Sequence, residues 1–173
     1  CGVGWMHEEF EALNLPDFAA RGQVTNEYLD VMKIAWTDPN PSYDGEFYSF
    51  DRVDLEPRPV QDPHPPIWIG GESMPAIRRV VSHGDAWYPF GSNPKFRMDT
   101  VASYAARRDR LWKCAEEAGR DPATIALSYN CAFHNAEAQV HVDGGRQLVT
   151  GTPEQRAEDI AALGEAGIST TVV

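Results

Sequence analysis

Apolar and polar positions change period several times along this chain, and each change marks an element. Residues 1–5 read as the last residues of a strand, and residues 6–14 (MHEEFEALN) as a short acidic helix stopped by Pro16. From Asp17 the pattern is helical again, with Val24, Tyr28, Val31, Met32, Ala35 and Trp36 recurring at the spacing of one apolar face. Asp38-Pro39-Asn40-Pro41 cannot continue it. Residues 42–50 alternate aromatic and polar positions around Asp44-Gly45, which predicts a hairpin. Residues 55–61 are then extended, because a residue that precedes proline is pushed out of the helical region. The whole of 38–66 is too long for a plain connection and reads as an insertion, either a binding loop or an ordered surface hairpin.

Beyond residue 66 the pattern settles into alternating strands and helices. Ile67-Trp68-Ile69 is a short apolar run without alternation, as expected of a parallel strand covered on both faces. A helix follows to Ser82, near Gly84, and residues 85–90 form a second apolar strand closed by residues 91–94. Residues 96–118 predict a long helix with Val101, Tyr104, Ala105, Leu111, Trp112 and Ala115 inward and Gly119 as its stop. A third strand spans 125–133, and within 134–149 only residues 139–142 suggest a strand. Thr152-Pro153-Glu154-Gln155 is a capping box that opens a helix ending at Gly167, before a last strand at 168–173. Repeated βαβ units with short buried strands mean a parallel α/β sheet, open and doubly wound or part of a (β/α)8 TIM barrel.

The chemistry concentrates where the first of these strands ends. Gly70 and Gly71 permit positive φ and close approach of a ligand to the backbone. Ser73 can cap the next helix, and Pro75 suits its first turn. Free N–H groups and the positive end of the helix dipole then face whatever lies beyond the strand, an arrangement that suits a phosphate. A glycine pair after a strand is equally a tight βα turn with no ligand, and the residues leave both readings open.

Composition narrows the partners. With 173 residues, 42% hydrophobic and 24% charged, the chain has the content of one globular domain. Its net charge of −11 argues against nucleic acid and against an anionic membrane surface. An anionic ligand would therefore need local groups, among which Arg58, Arg78, Arg79, Lys95 and Arg97 are candidates. Three cysteines without paired spacing fit a reducing cytoplasm, and the five histidines show no metal-ligand spacing. No signal peptide or long apolar stretch is present, which predicts a protein neither exported by that route nor spanning a membrane.

Six segments taken in order carry a resemblance: GVGWMHEEFEALN, RGQVTNEYLDVMKIAW, YDGEFYSFDRVDLEPRPVQ, PPIWIGGES, GDAWYPF, and GTPEQ with the distal AGI strand. Together they resemble the C-terminal half of the bacterial luciferase-like monooxygenases, more narrowly the actinobacterial branch that uses coenzyme F420. The resemblance implies a TIM barrel represented by the end of strand four and strands five to eight, with 38–66 as an insertion within one domain spanning 1–173. It implies an oxidoreductase that passes a hydride from reduced F420 to a small-molecule substrate, with FMN and monooxygenation as the alternative. Gly70, Gly71, Glu72 and Ser73 match the segment at the cofactor's phosphate, Gly4 and Trp5 match the rim beside the cofactor, and Trp87 with Tyr88 and Phe90 lies at the mouth of the next strand. Trp5 reads equally well as a packing residue.

The N-terminal strands of that family, and the helix after its last strand, have no counterpart in this sequence. Half a barrel leaves sheet edges unpaired, so a longer protein or a homodimer is expected to complete it. No catalytic acid or base is assigned; Glu8, Glu9 and Glu11 read as a solvated helix face, and His7 is a weak candidate. A binding or structural module without catalysis is the other class that these residues allow.

Overall fold

A strand persists only where a neighbour takes up its backbone groups, and in this chain that happens chiefly after residue 67. The computed structural model describes residues 1–91, 93–131, 134–141 and 144–172. It divides into two compact units, Cys1–Ile67 and Trp68–Val173.

In the first unit α1 spans His7–Ala12, shorter than the predicted 6–14, because Met6 offers no side-chain cap and Asn14 turns to φ 51°. Residues 1–5, expected as a strand end, lie outside every strand. Asp17 caps a single 3-10 turn at Phe18–Ala20 through the amide of Ala19, and α2 runs from Arg21 to Thr37. Its buried residues are Val24 and Leu29, whereas Tyr28, expected on the apolar face, is exposed. The reason is a polar partner: the Tyr28 and Tyr48 hydroxyls meet at 2.6 Å with their rings stacked.

The predicted hairpin is present, as β1 (Tyr43–Asp44) paired antiparallel with β2 (Ser49–Phe50). Its loop has four residues, not an Asp-Gly two-residue turn. Glu27 of α2 holds that loop, accepting from the amides of Glu46 (2.6 Å), Phe47 (3.0 Å) and Tyr48 (3.1 Å). Three converging N–H donors make an anion-binding concavity, and here the chain's own carboxylate fills it. A methyl on Gly45 would meet the Tyr43 ring and come within 2.6 Å of a Glu27 oxygen, so one or both of these side chains would have to shift.

The second unit is a four-stranded sheet in the order β3-β4-β5-β6, parallel throughout. The strands are β3 (Trp68–Gly70), β4 (Ala86–Tyr88), β5 (Ala126–Asn130) and β6 (Thr170–Val172). The helices α3 (Met74–His83), α4 (Val101–Glu117) and α5 (Pro153–Glu165) alternate with them. The predicted βαβ succession is therefore the observed one. The predicted ends at 132–133, 142 and 173, and Ser92 of the 91–94 closure, lie outside the described residues.

Alternation along the strands gives the sheet two unlike faces. Ile69, Trp87, Leu127 and Tyr129 turn to the helices and are buried, with Trp87 and Tyr129 at 5.4 and 5.7 Å from the Tyr104 ring of α4. Trp68, Gly70, Tyr88 and Asn130 take the other face and are only half-buried. Of the run Ile67-Trp68-Ile69, expected to be covered on both sides, Ile67 and Ile69 are buried and Trp68 is half-buried.

α4 begins five residues later than predicted. Thr100 and Ser103 form a reciprocal capping box there, and the preceding residues fold instead into a loop that buries Met98 and Asp99. Two arginines finish neighbouring helices. Arg120 donates to the carbonyls of Val80 (3.1 Å) and Val81 (2.9 Å) of α3, and Arg108 donates to Ala166 O (2.6 Å) at the end of α5. α5 opens with the predicted box of Thr152 and Gln155. Its Asp159 accepts both guanidinium nitrogens of Arg146, at 2.6 and 2.7 Å, and the amide of Val149 at 2.8 Å, which fastens the 146–150 loop. Among the described residues no helix is long and apolar enough to cross a membrane.

Candidate functional site

In a parallel sheet whose crossovers are helices, the strands' C-terminal ends and the helix N-termini lie on one rim, so loops there converge. On this rim stand residues 70–73 after β3, Tyr88-Pro89-Phe90 with Gly91 and Asn93 after β4, and Asn130 at the end of β5.

Gly71 adopts φ +110° as the chain turns from β3 into α3, a conformation L side chains rarely take. A methyl there would also lie 2.9 Å from the Ala76 methyl, so the turn can sit this closely on α3 only with glycine. Ser73 caps α3, its hydroxyl accepting from Ala76 N at 3.4 Å, and Pro75 occupies the first turn. The amide of Met74, the first helical residue, has no intrahelical acceptor by helix geometry. No acidic side chain lies in that first turn. This donor set suits an anionic group: backbone N–H at the positive end of a ten-residue helix, reached across a side-chain-free turn.

Glu72, next to the cap, is engaged by the loop after β4. Its carboxylate is 3% exposed and accepts from Phe90 N at 2.6 Å and from Asn93 Nδ2 at 2.7 Å. Trp87 is fully buried, and its indole N–H donates to Gly71 O at 2.8 Å. It holds the turn from beneath, packed in the core, and presents no surface to the rim.

Tyr88 and Phe90 differ from Trp87 by the strand period and lie on the other face. The Tyr88 hydroxyl accepts from Asn130 Nδ2 at 2.8 Å. Its ring neighbours Trp68 at 5.9 Å and Phe90 at 5.6 Å, and Phe90 is 43% exposed. Tyr88 pairs in register with Gly70, which contributes no side chain beside it. Sequence reasoning missed Asn130 and Asn93, since a lone asparagine at a strand end or in a loop carries no periodic signal.

The remaining candidates are dispersed. Gly4, at φ +77°, and Trp5, 80% exposed, belong to the N-terminal unit, as does Arg58, which bonds to Asp38 O at 3.0 Å. Arg79 lies mid-helix in α3, and burial pulls its pKa below the usual guanidinium value. Arg78 and Lys95 are exposed, and Arg97 pairs with Asp99 at 3.7 Å. Among the described residues no group of three or more His, Cys, Asp and Glu is placed to hold a metal ion.

Comparison with known proteins bears on this rim. The family model described as luciferase-like monooxygenase matches residues 1–143. The FMNH(2)-dependent dimethylsulfone monooxygenase of Pseudomonas putida is 28% identical over 208 residues, covering 95% of this chain and 57% of that protein. The pyrimidine monooxygenase RutA of Allorhizobium ampelinum is 29% identical over 129 residues, 72% of this chain and 34% of its own length. The chain therefore spans about half or less of these relatives.

Two solved structures share the fold. An F420-dependent secondary alcohol dehydrogenase in complex with an F420-acetone adduct aligns with a TM-score of 0.74 at 16% identity, covering 99% of this chain and 61% of that one. The coenzyme F420-dependent tetrahydromethanopterin reductase of Methanopyrus kandleri aligns at 0.76 and 13% identity, covering 99% and 66%.

Proposed function

Because this chain belongs to the luciferase-like monooxygenase family, we propose that its rim holds a phosphate-bearing flavin or deazaflavin for an oxidoreductase reaction on a small molecule. The observation that carries this reading is the Gly71 turn, which delivers the N-terminus of α3 to the rim with a serine cap and no acidic side chain in the first turn. The amides of residues 71–74 would receive the phosphate arm. Trp87 supports the cradle by holding the Gly71 carbonyl. Tyr88, fixed by Asn130, would face the ring or the substrate on the half-buried side of the sheet, and Trp68 and Phe90 would exclude water beside it.

When bound and reduced, F420 would supply a hydride and FMN would supply electrons to dioxygen. The order of segments favours F420. FMN is favoured by the relative whose name states FMNH(2) dependence. Both cofactors carry a phosphate on the arm of a flat tricyclic ring, a terminal monoester in FMN and a diester in F420. A non-catalytic module would bind the same groups without turnover. A second copy of this chain, or further βα units of the same protein, would supply the rest of a barrel.

The test adds FMN and F420 separately and follows ring fluorescence and intact mass, then supplies a reductant. Uptake of one of them, weakened at least tenfold by Gly71→Ala through the strained turn, is the expected outcome. Uptake of neither cofactor overturns the reading.

A further inference from the structure

Glu72 is a carboxylate removed from solvent beside a place meant for an anion, and it accepts from two donors of another loop. It accepts from Phe90 N and Asn93 Nδ2, at 2.6 and 2.7 Å, across the gap between the β3 and β4 rim loops. Asn93 organises the second loop in turn: its side-chain oxygen accepts from Lys95 N at 3.1 Å and its carbonyl from Phe96 N at 3.0 Å. With Oδ1 committed to Lys95, the Asn93 amide presents its NH2 to residue 72. Phe90 can present only N–H. Both partners are donors, so residue 72 must be an acceptor at both oxygens, which an ionised carboxylate is and an amide is not. Burial and the Arg110 charge pull the Arg107 pKa below the usual guanidinium value, and the Glu72 charge opposes them in part.

We infer that Glu72 is a positioning residue. It does not touch the phosphate; it ties the cradle turn to Phe90 and Asn93 beyond β4, so that the amides of residues 71–74 and the Tyr88–Phe90 wall keep one fixed spacing. This rests on the phosphate-arm reading given above. It also opposes simple electrostatics. Removing a negative charge beside an anion site should tighten anion binding, whereas unfastening the cradle should weaken it. Glu72→Gln is nearly isosteric, yet it sets an NH2 against one of two donors, so the two views differ in sign.

The experiment measures dissociation constants of the full chain for FMN and F420, and for riboflavin and the phosphate-free deazaflavin riboside, with inorganic phosphate as competitor. If the wild-type chain does not prefer the phosphorylated form and phosphate does not compete, the arm reading fails, whatever Glu72 does. If the preference is present, Glu72→Gln should reduce it by about tenfold, the worth of one mispaired charged hydrogen bond, while leaving affinity for the phosphate-free ring within about twofold.

The double variant Glu72→Gln/Asn93→Asp restores donor against acceptor, since the new carboxylate can accept from Gln and from Lys95 N, and it should recover the preference. Deuterium exchange at the Phe90 amide should quicken in the single variant and slow again in the double. An unchanged or increased preference for phosphate in Glu72→Gln overturns the inference. If that variant does not fold, Asn93→Ala, which removes one of the two ties, is read the same way.

Discussion

Gly71 and Gly45 both sit where a neighbour lies within reach of a missing methyl. At Gly71 both the +110° φ and the 2.9 Å approach to Ala76 forbid a side chain. Gly71→Ala is expected to cost about 1–3 kcal/mol by urea denaturation, from enforced strain and overpacking. Gly45 tolerates its backbone angles but leaves room for the Glu27 carboxylate, so Gly45→Ala should displace that carboxylate and speed exchange at the amides of residues 46–48. Both positions were legible in the sequence as turn glycines. Their partners, Ala76 and Glu27, were not, because nothing local links residue 27 to residue 45. The same limit applies to Glu72, whose sequence neighbours suggest a ligand contact, whereas its partners are 18 and 21 residues away.

Helices and loops here are fastened by charged side chains from other elements. Arg120 lies just beyond α4 yet finishes α3, and no periodicity predicts that. Arg120→Ala should take a donor from the Val81 carbonyl, while Val80 O keeps the Gly84 amide, and lower stability by about 1–2 kcal/mol, read as a shift in the urea midpoint with unchanged slope. Asp159→Ala should be more damaging, about 1.5–3 kcal/mol, because it strips Arg146 and the Val149 amide at once. Elements with caps written into adjacent residues, α3 with Ser73 and Pro75 and α5 with Thr152 and Gln155, were correctly placed from sequence. α4 starts after the Thr100 cap and not at the predicted residue 96, because Met98 is buried in the loop that precedes it.

The C-terminal unit as a whole carries protons its unfolded chain would release. Burial pushes the Cys131 thiol from 9.0 to about 12 and raises Tyr104 and Tyr129 above the ordinary 10.0. Above those ordinary values the unfolded state is ionised while the folded state keeps its protons, so the folded form binds more protons and stability falls as pH rises. Below about pH 8 these groups contribute almost no slope. From about pH 9 to 12 each should remove about 1.4 kcal/mol per pH unit across its own window, seen as falling urea midpoints between pH 8.5 and 11. The same burial predicts that Cys131 reacts with a thiol reagent only on unfolding, while exposed Cys1 reacts at once. Equal rates for the two would contradict the packing around β5.

The succession of strands and helices, the caps of α3 and α5, the hairpin and the glycine turn were all determined by the sequence itself, since each depends on residues a few positions apart. Tertiary structure alone decided which face of each strand is covered, that Trp87 supports the rim from the core while Tyr88 borders it, and that Glu72 answers to Phe90 and Asn93. Those outcomes depend on strand register and on donors brought together from distant parts of the chain, and a one-residue change of register would exchange the faces.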